Sequence, residues 1–486
     1  MTSTEAKGAN GVADDFPVLH RDTADKETFN AAVWDPVFNH RRATERVPRA
    51  VVKARTAAHV RQAVELAAKE NCRVSVRSGG HSWAGWSVRD DAVLIDLGTL
   101  PSGKRYDGSV DDGISYDPTT HVVSCPPSTT GQILNGVLKK KGRMFAGGHC
   151  PDVGLGGFLL QGGMGWNCKN WGWACEYIVG ADVVTADARE LHCSAEENAD
   201  LFWAVRGSGP GFPAVITRFH LKTVPLFELY QSLYIYPISE YRTVQKWVVD
   251  LCPTADPDTE IVTVGQYLSG TDDHVILANF LSFKPSRAEA EAALQPLHDS
   301  RPPGAKIEVF SQTTSLELQY CDQKAANPEN HRFCSENAYV GNDEDVVGIL
   351  ERAYTTLPTR QSFAIYYAMN PTSRRPLPDM ALSMHSDHYF ALYTCWKDGA
   401  QDSDNVAWVL DVMKTVERHA VGSYLGDADF QHRRTKFWTD EASEKLREIR
   451  RKWDPTGRIC GYLDDGDKSG IQGLKNVFEW ATTGST

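Results

Sequence analysis

Two glycine-rich segments, about 70 residues apart, constrain this chain most strongly. Residues 77–82 read R-S-G-G-H-S, and residues 150–157 read C-P-D-V-G-L-G-G before the chain continues into G-G-M-G at 162–165. Glycine lets the backbone approach a ligand closely, and consecutive bare amides form anion-binding concavities. Each segment also carries one nucleophilic side chain, His81 or Cys150. A lone Gly-Gly pair more often marks a tight turn, but the two segments together favour a pyrophosphate-bearing ligand held beside two nucleophiles.

The two segments, in this order and with these nucleophiles, closely resemble the berberine-bridge-enzyme-like branch of the vanillyl-alcohol-oxidase superfamily, whose FAD-binding domain is of the PCMH type. In that branch the histidine of R-S-G-G-H is bonded to the 8α-methyl of the flavin. The cysteine of C-P-x-V-G is bonded to C6 of the same ring. The resemblance therefore implies that His81 and Cys150 anchor one FAD covalently.

The resemblance also implies which other residues surround the FAD. They are Arg77, Ser78, Gly79, Gly80, Ser82, Val153, Gly154, Gly157, Gly162, Gly163, Gly165 and Ile216. Three positions depart from the pattern of the family. Pro210 and Pro213 stand in a loop that is usually glycine-rich, and neither can donate a backbone N–H. Phe158 stands where a histidine is common, and His149 precedes the cysteine, where a small or apolar residue is usual.

The catalytic base is less clearly marked than the cofactor site. Many relatives carry a Y-x-N-Y-x-D segment whose second tyrosine removes the substrate proton, whereas residues 424–429 here read Y-L-G-D-A-D. Asp427 takes the place of that tyrosine, and partial burial would raise its pKa enough for such a role. The alternative is that Asp427 belongs to a surface loop. Tyr366, Tyr367 and Tyr389 on two apolar strands are the other candidates, although strand tyrosines are more often core residues.

We expect no metal site. His385 and His388 are close in sequence, but on the strand that we predict there they would point to opposite faces of the sheet. A dinucleotide-binding G-x-G-x-x-G motif with a downstream acidic residue is also not convincing, so NAD is not expected.

The charge and hydropathy of the chain argue against two kinds of binding partner, nucleic acid and membrane. The formal net charge is −12 and no long basic run occurs, which argues against nucleic acid. No apolar stretch approaches the roughly 18 residues of a membrane span. The first 25 or so residues lack the basic and apolar regions of a secretory signal, and the eleven cysteines follow no repeated spacing. We therefore expect an intracellular, cytoplasmic protein whose partners are a small-molecule substrate and O₂, while its oligomeric state stays open.

The periodicity predicts an α+β protein of two domains. We expect an N-terminal tail over 1–45, an FAD-binding domain over 46–224, a substrate domain with an antiparallel sheet and helices over 225–430, and a C-terminal return to the first domain over 431–486. In the FAD-binding part, Thr56 and either Thr129 or Thr130 are predicted to cap helices.

The function that follows is an FAD-dependent oxidase. It would oxidise an alcohol-type carbohydrate or a bulky secondary metabolite by hydride transfer to the flavin, with O₂ reduced to H₂O₂. Two alternatives remain: a flavin dehydrogenase that uses another acceptor, and a non-catalytic flavin-bound carrier, which the altered Y-L-G-D segment keeps open.

Overall fold

The computed structural model describes residues 16–100, 113–463 and 475–480. The strands are β1 (Val18–His20), β2 (Ala50–Lys53), β3 (Val74–Arg77), β4 (Val93–Asp96), β5 (Ser115–Asp117), β6 (Val122–Cys125), β7 (Arg143–Met144), β8 (Ile178–Thr185), β9 (Glu190–Cys193), β10 (Ala214–Lys222), β11 (Val224–Pro225), β12 (Glu228–Pro237), β13 (Thr259–Tyr267), β14 (His274–Lys284), β15 (Ile307–Thr314), β16 (Arg332–Val340), β17 (Phe363–Ala368), β18 (His388–Trp396), β19 (Ala420–Gly422), β20 (Arg433–Arg434) and β21 (Glu479–Trp480). The α-helices are α1 (Lys26–Trp34), α2 (Ala57–Lys69), α3 (Gly131–Lys139), α4 (Leu155–Leu160), α5 (Cys168–Trp171), α6 (Ala199–Val205), α7 (Tyr241–Leu251), α8 (Arg287–Ser300), α9 (Leu316–Ala326), α10 (Val346–Thr355), α11 (Asp402–Val416) and α12 (Asp440–Trp453).

The first sheet positions the first glycine segment. Its strand order is β1-β2-β4-β3, with β2, β4 and β3 parallel. Helix α2 crosses between β2 and β3, and the Thr56 side chain caps it by accepting from the N–H of His59. Its apolar stripe, which includes Val60 and Val64, is buried in the core of this sheet. The chain then leaves β3 directly into residues 78–82, so the glycine segment stands at the carboxyl end of a buried strand.

The second sheet is antiparallel, in the order β5-β6-β10-β8-β9. Helix α3 follows β6 and is capped by Thr130, which accepts from the N–H of Ile133, so Thr130 rather than Thr129 is the cap. The second glycine segment leads into α4, which begins directly after Gly154. The first sheet therefore carries the first glycine segment, whereas the second segment lies between β7, which pairs with β11, and α4.

A third, eight-stranded antiparallel sheet forms the other half of the molecule, in the order β15-β12-β14-β13-β17-β18-β16-β19. Helices α7, α8, α10 and α11 cover one face and share an apolar core with it, in which Trp247, Leu294, Leu350 and Val412 are buried. Because side chains alternate along a strand, the opposite face of this sheet is left to face the glycine segments. The expectation of an α+β fold whose second half is an antiparallel sheet with helices is confirmed.

The chain differs from expectation at two places. Residues 16–45, which we expected within a tail, instead include β1 and α1: β1 pairs with β2, and Phe29, Val33 and Trp34 are buried against the first sheet. The remainder of the predicted tail lies outside the described residues. His385 is not on a strand, because β18 begins only at His388, so the opposite-face argument for this pair does not hold.

After the large sheet, the chain returns to the first. Cys460 donates its N–H to the carbonyl of Val74, next to an isolated parallel bridge between Val74 and Ile459. Over the described ranges, none of the helices is long and apolar enough to cross a membrane.

Candidate active site

A cavity of about 520 Å³ lies between the glycine segments and the open face of the large sheet. His81 and Cys150 both line it, as does Asp427. The two proposed flavin anchors and the proposed base, which are far apart in sequence, therefore share one cavity.

The glycines bring the two segments into direct contact. A Cβ on Gly79 would lie 2.7 Å from the backbone N of Gly154, and one on Gly156 would lie 2.6 Å from the Ser78 Oγ. Gly80 has φ +79°, and a Cβ there would meet the carbonyl oxygen of Pro36 at 1.9 Å. The glycines thus allow close packing of one loop on the other, and the same lack of side chains leaves backbone exposed to the cavity.

His81 lies near the end of the first glycine segment and lines the cavity. Its ring stacks on Phe38 with centroids 4.6 Å apart, and its Nε2 lies 3.6 Å from Asp152 Oδ1. Asp152 belongs to the second segment, so the imidazole lies at the junction of the two loops. Stacking and the carboxylate together restrict the ring orientation.

Cys150 faces the same cavity from the other segment. The Asn327 side-chain amide donates to its Sγ at 3.7 Å. Burial, together with the carboxylates of Asp152 and Asp427, raises the pKa of the Cys150 thiol to about 12. In this environment the group is a thiol rather than a thiolate, so any bond formed by Sγ requires removal of a proton.

The remaining predicted cofactor residues divide into two groups. Those that line the cavity are Arg77, Ser78, Gly79, Gly80, Ser82, Val153, Gly154, Gly157 and Ile216. Gly162, Gly163 and Gly165 are not part of its wall. They pack within the protein instead, because a Cβ on Gly163 would touch Phe158 and Ala174, and one on Gly165 would lie 2.1 Å from the Ala146 carbonyl oxygen.

Arg77 has a supporting role. Its guanidinium donates to the carbonyls of Val33 and Ala32 and pairs with Asp96 at 2.9 Å. These buried contacts fix the end of β3 and with it the loop that follows. The charged end of the side chain is therefore engaged by protein groups.

Asp427 is held by hydroxyl and indole donors. The Tyr389 hydroxyl donates to Asp427 Oδ2 at 2.5 Å, and Tyr393 and Trp83 also donate to this carboxylate. Burial raises the pKa of Asp427 above its ordinary value, and the three donors act in the opposite direction. Asp427 is therefore a half-buried carboxylate that lines the cavity, not a residue of an exposed surface loop.

The adjacent candidates Tyr366 and Tyr367 lie on opposite faces of the large sheet. Tyr367 lines the cavity, whereas its neighbour Tyr366 is buried in the core under the helices, where its hydroxyl contacts His388 Nδ1 at 2.9 Å. Burial raises the pKa of Tyr367 and of Tyr389 well above 10. Both therefore stay protonated at neutral pH, and Tyr389 acts as a donor to Asp427.

Sequence reasoning missed a second polar pair in the cavity wall. His149 Nε2 lies 3.1 Å from both carboxylate oxygens of Glu260, and Glu260 also accepts the Asn167 N–H at 2.9 Å. Glu260 is on β13, far from His149 in sequence. The unusual histidine before Cys150 was the available signal, but nothing in the sequence indicated its partner.

Tyr393 and Trp83 were also missed. Tyr393 lies four residues after Tyr389 on β18 and so on the same face of the strand, a spacing that would have associated it with the candidate base. Trp83 follows the first glycine segment directly, and its ring lies 5.5 Å from that of Tyr393. The carboxylate and its donors thus come from three separate parts of the chain.

Comparison with known proteins agrees with this site. A family model described as an FAD-binding domain matches residues 48–194. The chain is 37% identical over 429 residues to the FAD-linked oxidoreductase penO of Penicillium crustosum, covering 88% of this chain and 93% of that protein. The chain therefore belongs to the FAD-linked oxidoreductases and is an FAD-dependent enzyme.

Solved structures show the same fold. BBE-like 1 of Physcomitrella patens superposes with a TM-score of 0.78 at 16% identity, covering 96% of this chain and 98% of that one. Glucooligosaccharide oxidase of Acremonium strictum superposes with a TM-score of 0.74 at 18% identity, over 95% of this chain and 97% of that one. The FAD of that oxidase is described as 6-S-cysteinyl, 8α-N1-histidyl. The fold is thus that of the berberine-bridge-enzyme-like, PCMH-type flavoenzymes, which confirms the resemblance seen in the sequence.

Proposed function

We propose that this enzyme is an oxidase with bicovalently bound FAD that oxidises an alcohol group of a bulky substrate. The observation that carries the proposal is the single cavity in which His81, Cys150 and the Tyr389-held carboxylate of Asp427 meet. When bound there, FAD would accept the hydride of the substrate and pass the electrons to O₂, giving H₂O₂.

The residues present suit this cofactor. Bare amides of the two glycine segments suit a pyrophosphate, and two nucleophiles line the same cavity. His81 is the candidate for the bond to the 8α-methyl, and Cys150 is the candidate for the bond to C6. The glucooligosaccharide oxidase of the same fold, with its histidyl and cysteinyl attachment, supports this assignment.

Asp427 is the proposed general base. Burial raises its pKa toward the working range of such a group, and ionised Asp427 can accept the hydroxyl proton of a substrate. Tyr389 and Tyr393 hold the carboxylate in place and stabilise its ionised form. Tyr367, on the neighbouring strand, lines the space beside them and is proposed to contact the substrate.

The sheet face favours a largely apolar substrate. Leu277, Val264 and Ile365 are paired in register across β14, β13 and β17, and all three line the cavity. In the next row, Val262 lies between Asn279 and Tyr367. A row of aliphatic side chains gains from covering apolar surface but offers no hydrogen bonds to a sugar. The same sheet also presents Gln266 and Asn279 to the cavity, but its aliphatic row favours the bulky secondary metabolite over the carbohydrate.

The proposed location is a reducing compartment inside the cell. All eleven cysteines are free in the structure, and ten of them are not required by the proposed site. Free, mostly buried thiols are typical of intracellular proteins.

A substrate screen tests the proposal. Purified enzyme should be mixed with panels of polycyclic alcohols and of oligosaccharides, with H₂O₂ release and anaerobic flavin bleaching recorded in parallel. We expect bleaching and stoichiometric peroxide with members of the first panel. Bleaching without peroxide would indicate a dehydrogenase. A flavin that light reduces but no substrate bleaches would support the carrier.

A further inference from the structure

We propose that the FAD-binding half carries a divalent-metal site, of the kind that binds Zn²⁺, formed by Asp182, His192 and His220. The three side chains lie on neighbouring strands β8, β9 and β10 of the second sheet. Their ligand atoms all lie within 4.8 Å of one another. None of the three lines the catalytic cavity, so the proposal does not depend on the oxidase activity.

Strand register places the three groups together. Asp182 is paired directly with His192, and His220 is paired with Gly180, two residues before Asp182. Residues two apart on a strand share a face, so all three side chains project from the same side of the sheet. The opposite side is the buried core, where Ala181, Cys193 and Phe219 pack. The backbone of a rigid sheet therefore fixes the positions of the ligands.

The distances suit a tetrahedral cation. His192 Nδ1 lies 2.7 Å from Asp182 Oδ1, and His220 Nε2 lies 3.2 Å from Asp182 Oδ2. Ligands about 2.0–2.1 Å from Zn²⁺ are separated from each other by roughly 3.3 Å in a tetrahedron. The two separations of 2.7 and 3.2 Å would have to widen only slightly to reach this value. His192 and Asp182 are each about two-fifths exposed, which leaves a fourth position for water.

Two neighbouring groups favour ligation over simple hydrogen bonding. Ser124 Oγ lies 2.7 Å from His220 Nδ1, and a hydrogen bond from that nitrogen to the serine would leave the Nε2 lone pair directed at Asp182. Metal-binding histidines are commonly oriented in this way by a hydrogen bond to the other nitrogen. Gly180 makes room for the His192 ring, because a Cβ there would lie 2.8 Å from its Cε1. Arg218 is paired with Asp182 across the two strands, and its guanidinium donates to the Gly113 carbonyl at 2.7 Å.

Zinc titration of the holoenzyme tests the site. Tag-free enzyme, stripped with a chelator, should bind one Zn²⁺ per chain in calorimetry, with a rise in thermal midpoint, and should not respond to Mg²⁺, which prefers oxygen ligands. His192→Gln and His220→Gln should each weaken binding at least 100-fold. Ser124→Ala should weaken it by about 10- to 100-fold. Flavin content and absorption report that each variant is folded.

The matched control is His419→Gln. His419 forms an equally short contact with a carboxylate, 2.7 Å from Glu344, at a similar exposure but without a second histidine. Zinc affinity should be unchanged in this variant. The proposal is overturned if wild type and His220→Gln bind Zn²⁺ alike, or if wild type binds only at millimolar concentration, because the cluster is then a hydrogen-bonded network only.

Discussion

The two walls of the cavity are built from different parts of the chain, one mainly from backbone and the other from side chains. The wall formed by the glycine segments is mostly backbone, and its few side chains, such as Arg77, hold the loops in place. The wall formed by the eight-stranded sheet consists of side chains, among them the aliphatic row, Tyr367 and Glu260, and Tyr389 of this sheet donates to the neighbouring Asp427. The difference implies that changes in the first wall act on cofactor retention and stability, whereas changes in the second act on turnover. Each prediction below tests this division.

The largest effect is expected at the two anchors. His81→Ala should keep flavin covalently through Cys150, and Cys150→Ala should keep it through His81, whereas the double variant should release all of its FAD on acid precipitation. In unfolded wild type, ten of the eleven cysteines should react with a thiol reagent, because Cys150 is bonded to flavin. A colourless pellet from wild type would show that neither bond forms.

The next largest effect belongs to the sheet wall. Asp427→Asn should slow anaerobic flavin reduction by roughly 10²- to 10⁴-fold, the usual cost of losing a general base. Covalent flavin should stay at the wild-type level, because Asp427 is not an anchor. Stopped-flow reduction with a substrate from the screen measures this. Reduction at the wild-type rate would move the base elsewhere, and Tyr367 would be tested next.

The pH dependence of flavin reduction distinguishes the role of Asp427 as base from that of Tyr389 as the donor that positions it. Because burial raises the pKa of Asp427, reduction should weaken as pH falls through that raised pKa, as the carboxylate takes up a proton. Tyr389 lowers this pKa by donating to the carboxylate, so Tyr389→Phe should shift the acidic limb to higher pH and reduce the rate only about tenfold. An unshifted limb in this variant would contradict the role of Asp427.

The backbone wall should respond to a single methyl group. In Gly79→Ala the new Cβ meets Gly154 at 2.7 Å, which forces the two loops apart and should cost roughly 1–3 kcal/mol of stability, with incomplete flavin incorporation. Gly136→Ala is the matched control. It lies within α3 with nothing within 4 Å of its Cβ and should stabilise by about 0.4–1 kcal/mol. Urea unfolding and the flavin-to-protein absorbance ratio measure both. Equal stability of the two variants would disprove the close approach.

The same division explains what the sequence could and could not predict. Where the backbone must approach another loop closely, the sequence requires glycine, so the loops that carry His81 and Cys150 could be predicted from their motifs. Helix caps such as Thr56 could be predicted from local sequence patterns. Gly162, Gly163 and Gly165 look the same in sequence but serve internal packing, since a glycine requirement does not reveal what approaches it.

The sheet wall was less predictable because its contacts are distant in sequence. Glu260 meets His149 across 111 residues, and Asp427 meets Tyr389 across 38. Strand alternation predicts that two neighbouring residues face opposite ways, but not which of them faces the cavity. That choice depends on the face on which the helices pack, which is a property of the tertiary fold.

The smallest effects should come from the adjacent residues Tyr366 and Tyr367, which test that choice of face directly. Tyr366→Phe removes the hydroxyl that contacts buried His388 at 2.9 Å, so it should lower the free energy of unfolding by about 1 kcal/mol and leave flavin reduction unchanged. Tyr367→Phe removes a hydroxyl beside the cavity. It should change the unfolding free energy by less than about 0.5 kcal/mol and alter the apparent substrate affinity a fewfold. Urea unfolding and stopped-flow reduction, run on both variants, give the four values. The reverse pattern would mean that β17 presents its other face to the cavity, and the assignment of the whole sheet wall, Asp427 and Tyr389 included, would have to be abandoned.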